Sequence, residues 1–151
     1  MERSRCLPLL RAQMPLLLLG ALAFSVSGCG DGRPERVPVS GTVTIDGKPL
    51  TYGFVRFHPL EGGRLGQGRI GPDGRFTLTT YEKGDGVTAG THAVEVLAGE
   101  PVGETKTKWH APKKYAERAT SELTLTIEKA EQDLPIELSW DGGKPFVEST
   151  P

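Results

Sequence analysis

The sequence predicts an all-β protein: one small sandwich domain behind a cleavable leader and a short linker. Three observations carry this. Twenty glycines and twelve prolines punctuate short runs rich in β-branched residues, the composition of a sandwich. Within those runs apolar and polar residues alternate with the period of a half-buried strand. Few helix-period patterns appear anywhere.

The leader comes first. Arg3, Arg5 and Arg11 face a single Glu2, and an apolar run of thirteen residues follows from Met14 to Val26. A membrane span needs about 20 apolar residues, so this basic start, short apolar run and small-residue end read as a secretory signal over residues 1–28. The run closes on Val26-Ser27-Gly28-Cys29, which resembles the lipobox of bacterial lipoproteins. The resemblance implies cleavage before Cys29 and a diacylglyceryl thioether on its sulfur, usually with a third acyl chain on the new amino group. Cysteine use agrees with it. The chain has two cysteines, and Cys6 would leave with the leader, so Cys29 would have no disulfide partner. Several acyl chains give stable attachment where one gives marginal attachment. In some bacteria Asp directly after this cysteine retains a lipoprotein at the inner membrane. Gly30 stands there, which favours the periplasmic face of the outer membrane.

Losing the leader removes three basic residues and one acidic one, leaving 15 basic and 18 acidic residues and a formal charge of -3. That is no footprint for nucleic acid. Residues 29–36 form the lipidated terminus and linker. The seven linker residues Gly30–Arg36 reach at most about 25 Å when extended, which keeps the domain close to the bilayer.

The domain is expected over residues 37–140, in seven strands. Val37–Ile45 alternates cleanly and ends in an Asp46-Gly47 turn. Tyr52–His58 turns Val55 and Phe57 inward, and Gln67–Ile70 is short. Gly71-Pro72-Asp73-Gly74 is a turn, because Pro72 presets φ and Gly74 tolerates positive φ. Arg75–Thr80 follows with Phe76 and Leu78 inward. Thr91–Ala98 places His92, Val94 and Val96 on one face. Gly99–Thr120 reads as a long irregular loop. Ser121–Glu128 alternates again, Glu131–Asp133 reads as a turn, and Leu134–Trp140 closes the fold. Residues 141–151 read as a tail, frayed from Phe146 on. The expected core comprises Val43, Phe57, Phe76, Leu78, Val94, Val96, Leu125 and Ile136.

These residues carry a second resemblance. Val39-Ser40-Gly41-Thr42-Val43, Asp46-Gly47-Lys48-Pro49-Leu50 and Val55-x-Phe57-x-Pro59 are similar to the opening of a carboxypeptidase regulatory-like domain. Pro72-Asp73-Gly74-x-Phe76-x-Leu78 and Ala89-Gly90-Thr91-His92-x-Val94-x-Val96 are similar to its middle. Lys114-Tyr115 and Thr120-Ser121-x-Leu123 resemble the ending found in small bacterial lipoproteins of this type. The likeness runs over Val37–Leu138. It implies a seven-stranded, prealbumin-like (Ig-like) β-sandwich of the transthyretin kind, without catalytic residues, since chemistry in the namesake enzymes belongs to another domain. Two departures stand out. Glu122 replaces a common proline, and Lys129-Ala130-Glu131 replaces a glycine-rich turn.

No catalytic residue, metal site or cofactor is expected. His58, His92 and His110 lack ligand spacing, and no nucleophile elbow or mature cysteine nucleophile is present. The glycines at 62, 63, 66 and 68 lack the Lys-Ser/Thr of a phosphate loop. A transthyretin-like hydroxyisourate hydrolase would end Tyr-Arg-Gly-Ser, unlike Ser149-Thr150-Pro151. The candidate contact residues are Trp109, His110 and Tyr115, on the long loop with Lys106, Lys108, Lys113 and Lys114. Two functions are compatible with them. One is a lipid-anchored interaction or structural module that meets an envelope protein. The other is a glycan or small-solute binder that stacks sugars on Trp109, Tyr115 or Trp140. The alternative for Trp109 and Tyr115 is that they fold the loop onto the sandwich.

Overall fold

A computed structural model describes residues 32–149. Cys29 and the leader lie outside them. The chain is all-β, and among the described residues the one helical piece is a 3₁₀ turn at Lys113–Ala116. Pro34–Pro151 groups into one compact unit.

The described residues hold thirteen strands rather than seven. Pro38 has no N–H to give a ladder, so the first expected strand divides into β1 (Arg36–Val37) and β2 (Val39–Ile45). In β2 the residues Val39, Gly41, Val43 and Ile45 are buried, and those between are half-buried. Asp46 and Gly47 turn the chain with φ of 46° and 76° into β3 (Lys48–Pro49). β4 (Phe54–Pro59) buries Val55 and Phe57, and β5 (Gly66–Arg69) pairs with it. The Gly71–Gly74 turn closes with a 3.0 Å bond from Gly74 N–H to Gly71 O and delivers β6 (Arg75–Thr77). β7 (Val87–Thr88) pairs with β1, and β8 (Gly90–Leu97) buries His92, Val94 and Val96. The expected long loop contains β9 (Gly99–Pro101), β10 (Lys106–Trp109) and the 3₁₀ turn. β11 (Leu123–Ile127) and β12 (Glu131–Leu138) follow, then β13 (Phe146–Ser149) within the expected tail.

Two main sheets enclose the core. One has the order β12-β2-β3, with β6 also on β2; the other is β11-β8-β4-β5. Bridges between Gln67 and Thr79 tie them along one side, each N–H 2.9 Å from the other's carbonyl. Eighteen hydrophobic residues from both sheets and their connections are buried in one cluster. Of the expected core, Leu125 alone is only half-buried; it lies on the outer strand β11, whose Ile127 on the same face is buried.

The closing pair is parallel: β12 runs beside β2 from Glu131 opposite Val39 to Leu138 opposite Ile45. Glu131–Asp133 belongs to this strand and not to a turn, with a register shift before Leu134. A Cβ at Gly41 would overlap the Leu134 carbonyl, so the strand approach there requires glycine. Glu122 sits at φ 55°, a value the proline ring forbids. The turn into β11 therefore differs from a proline-bearing one.

Strand direction defines two ends. β1 leads from the linker into β2, and Asp46 lies at the other end of β2. There Asp46 N–H donates to Leu138 O at 3.0 Å and Ser139 Oγ bonds Asp46 Oδ1 at 3.0 Å. In β8, His92 pairs with Pro59 near the linker end, and Leu97 pairs with Phe54 at the far end. β9 continues directly from that far end.

Candidate functional site

The segment 99–120 is ordered as a sheet with a strand from the tail. β10 lies between β9 and β13, antiparallel to both. Opposite partners share a face. Gly99, Trp109 and Phe146 form one row on one side, with Pro101, Thr107 and Glu148 the row beside it. Glu100, Lys108 and Val147 align on the other side.

Trp109 is half-buried over Gly99, where a Cβ would come within 3.3 Å of the indole ring. Its indole N–H donates to Glu148 Oε2 at 3.2 Å. Lys113 reaches the same carboxylate at 2.9 and 3.1 Å and sits 5.5 Å from the Trp109 ring centroid. The Lys113 hydrogen bond, helped by Trp109, outweighs desolvation and holds the Glu148 carboxyl below its ordinary range. Glu148 thus fastens β13 to the 3₁₀ turn. His110 points to the opposite side, its Nε2 2.7 Å from Glu100 Oε2 and its ring 5.3 Å from that of Tyr52. Tyr115 is buried, and its hydroxyl accepts from the Ser139 N–H at 3.2 Å. Lys114 lies 4.9 Å from the Tyr115 ring and bonds Asp141. That hydrogen bond raises the Lys114 ammonium above its usual value and lowers Asp141.

The three sequence-derived contact residues therefore sit on one structure, but on different sides of it. Trp109 and His110 alternate across β10, and Tyr115 serves as an anchor beneath. Trp140 is half-buried against the core, with its ring 6.5 Å from Phe146 in an edge-on arrangement. Sequence reasoning missed Phe146, Val147 and Glu148. Asp141-Gly142-Gly143 followed by Phe146-Val147 is a turn-then-strand signal, and it was the one available clue. Phe146 and Val147 remain exposed, as does Val102 just beyond β9.

The other ionisable cluster lies on the outer face of β4 and β8, where Glu95 stands 3.0 Å from His58 and 3.9 Å from Arg56. Among the described residues no group of three or more His, Cys, Asp or Glu side chains is arranged to hold a metal. No family model, curated protein or solved structure matches the chain.

Proposed function

We propose that the chain is a lipid-anchored envelope module: a non-catalytic, prealbumin-like sandwich of the carboxypeptidase regulatory-like kind. It is held at the periplasmic face of a membrane, the outer one favoured, by acylated Cys29, and meets a protein partner through the sheet β9-β10-β13. One observation carries the protein-contact reading. Four large hydrophobic residues are exposed among the described residues, and three of them, Val102, Phe146 and Val147, belong to or adjoin this sheet. Two of the three lie on β13, an outer strand whose free edge offers backbone groups for a further strand. A glycan platform would need open aromatic faces. Tyr115 is 7% exposed, and the Trp109 ring carries Lys113.

Two variants test the two parts. Cys29→Ser should leave the precursor uncut or free the domain from the membrane. Mass spectrometry of the wild-type membrane fraction should show loss of Met1–Gly28 and added lipid. Val147→Asp should lose the partner captured from detergent-solubilised membranes while the melting temperature holds. Equal capture by wild type and Val147→Asp would remove the sheet from the proposal.

A further inference from the structure

The end of the domain opposite the contact sheet carries the fourth exposed hydrophobic. Leu60 is 60% exposed, more than any other large apolar residue described. Its backbone N–H is tied to Thr91 O at 2.9 Å, so the base of its loop is fixed. Gly62 and Gly63 follow at φ of 89° and 116°; with no side chains, they leave Leu60 as the most prominent apolar group of that turn. Arg64 comes next, exposed, with its guanidinium 5.1 Å from the Tyr81 ring centroid.

The linker begins at the same place. Pro34 lines one cleft of about 250 Å³ with Pro59, Gly63, Arg64 and Tyr81. Five residues separate Pro34 from Cys29, a reach of at most about 18 Å. We propose that this end lies against the bilayer, with Leu60 entering the acyl boundary and Arg64 meeting headgroup phosphates; this rests on acylation of Cys29. The occupant is the lipid surface because the proposed acyl anchor on Cys29 would be tethered to this end, within that reach. Arg36 is committed to Asp85 at 2.9 Å, Glu61 lines the same cleft, and Arg33 and Glu35 stand exposed on either side of Pro34. The charges are therefore mixed, and contact comes from the apolar tip with Arg64 beside it rather than from a basic field. An apolar side chain beside an arginine is a combination suited to the interface, where the stem stays apolar and the head stays wet.

The test uses mature protein extracted from membranes. Leu60→Cys gives one reactive thiol if Cys29 is acylated, and Val147→Cys gives a matched exposed control on the contact sheet. Each is labelled with an environment-sensitive nitrobenzoxadiazole dye. Each is reconstituted into phosphatidylethanolamine–phosphatidylglycerol vesicles containing doxyl-labelled acyl chains. The expected result is loss of most fluorescence at position 60 and little at position 147. Unquenched dye at 60, or equal quenching at both positions, overturns the membrane-facing end while leaving the anchor intact. Self-quenching at 60 that rises with protein density marks a second copy as the occupant and also overturns it. Two labels per chain show a free Cys29 thiol and overturn the anchor, and this proposal with it.

Discussion

His92 is 1% exposed, on the inner face of β8. Its Nε2 lies 2.9 Å from Thr88 O, a contact only a protonated nitrogen can satisfy. Nδ1 is then a buried acceptor without a protein partner. Burial lowers the imidazole pKa, partly offset by the Thr88 carbonyl. The unfolded chain therefore binds a proton at a higher pH than the folded one does. This contribution to stability is complete above the ordinary imidazole value of 6.5 and is lost as pH falls through the folded value. Denaturation midpoints should fall on acidification below that point, with a slope of at most about 1.4 kcal/mol per pH unit from this group. His92→Phe should flatten that slope. An unchanged slope would assign the acid sensitivity elsewhere. Phe76, 3% exposed and 6.5 Å from the Phe57 ring, makes a second residue-level test. Phe76→Ala should cost about 3–5 kcal/mol in urea unfolding, and a loss under about 1 kcal/mol would contradict its burial. Both positions were legible in the sequence, because period-2 alternation assigns a face without knowledge of the partner strand. The bond from His92 to Thr88 was not, since it depends on the turn between β7 and β8.

At the scale of elements, the small sheet β9-β10-β13 shows where local pattern stops informing. Lys106-Thr107-Lys108-Trp109 is a strand of four residues with two lysines, too short for its pattern to stand out, and its two partners lie on either side of it in sequence. Pairing with β13 brings Trp109 and Lys113 onto Glu148, a contact across 39 residues in the case of Trp109. Nothing near residue 109 records it. The same long segment that reads as a loop is thus held by the β13 ladder and by two carboxylates of the tail, Glu148 on Trp109 and Lys113 and Asp141 on Lys114. Trp109→Ala should loosen this sheet without opening the sandwich. Amide exchange should quicken at 106–109 and 146–149 while β2, β4 and β8 stay protected. Equal acceleration across both main sheets would instead make Trp109 part of the common core. Pro135 has the opposite effect on the outer strand β12, where a residue without N–H discourages further pairing. The free edge of β13 has no proline.

For the whole molecule, composition and alternation revealed the all-β class and the run of strands from Val39 to Leu138. They did not reveal the parallel closure. An antiparallel hairpin announces itself through a turn, whereas β2 and β12 share no local mark. Ser40 Oγ reaches Gln132 O at 3.0 Å across 92 residues. A chain ending at Ala130 should accordingly show no cooperative unfolding transition by circular dichroism, since β2 would lose its whole partner on one side. A sharp two-state melt would show that the remaining strands suffice. The same pairing sets a timetable. The first long strand to emerge during synthesis must wait for almost the last before its sheet can close, and contacts of such long sequence separation form slowly. Throughout that interval the inner face of β2 lacks its partner strand, so closure of this sheet comes only after Leu138 has been made.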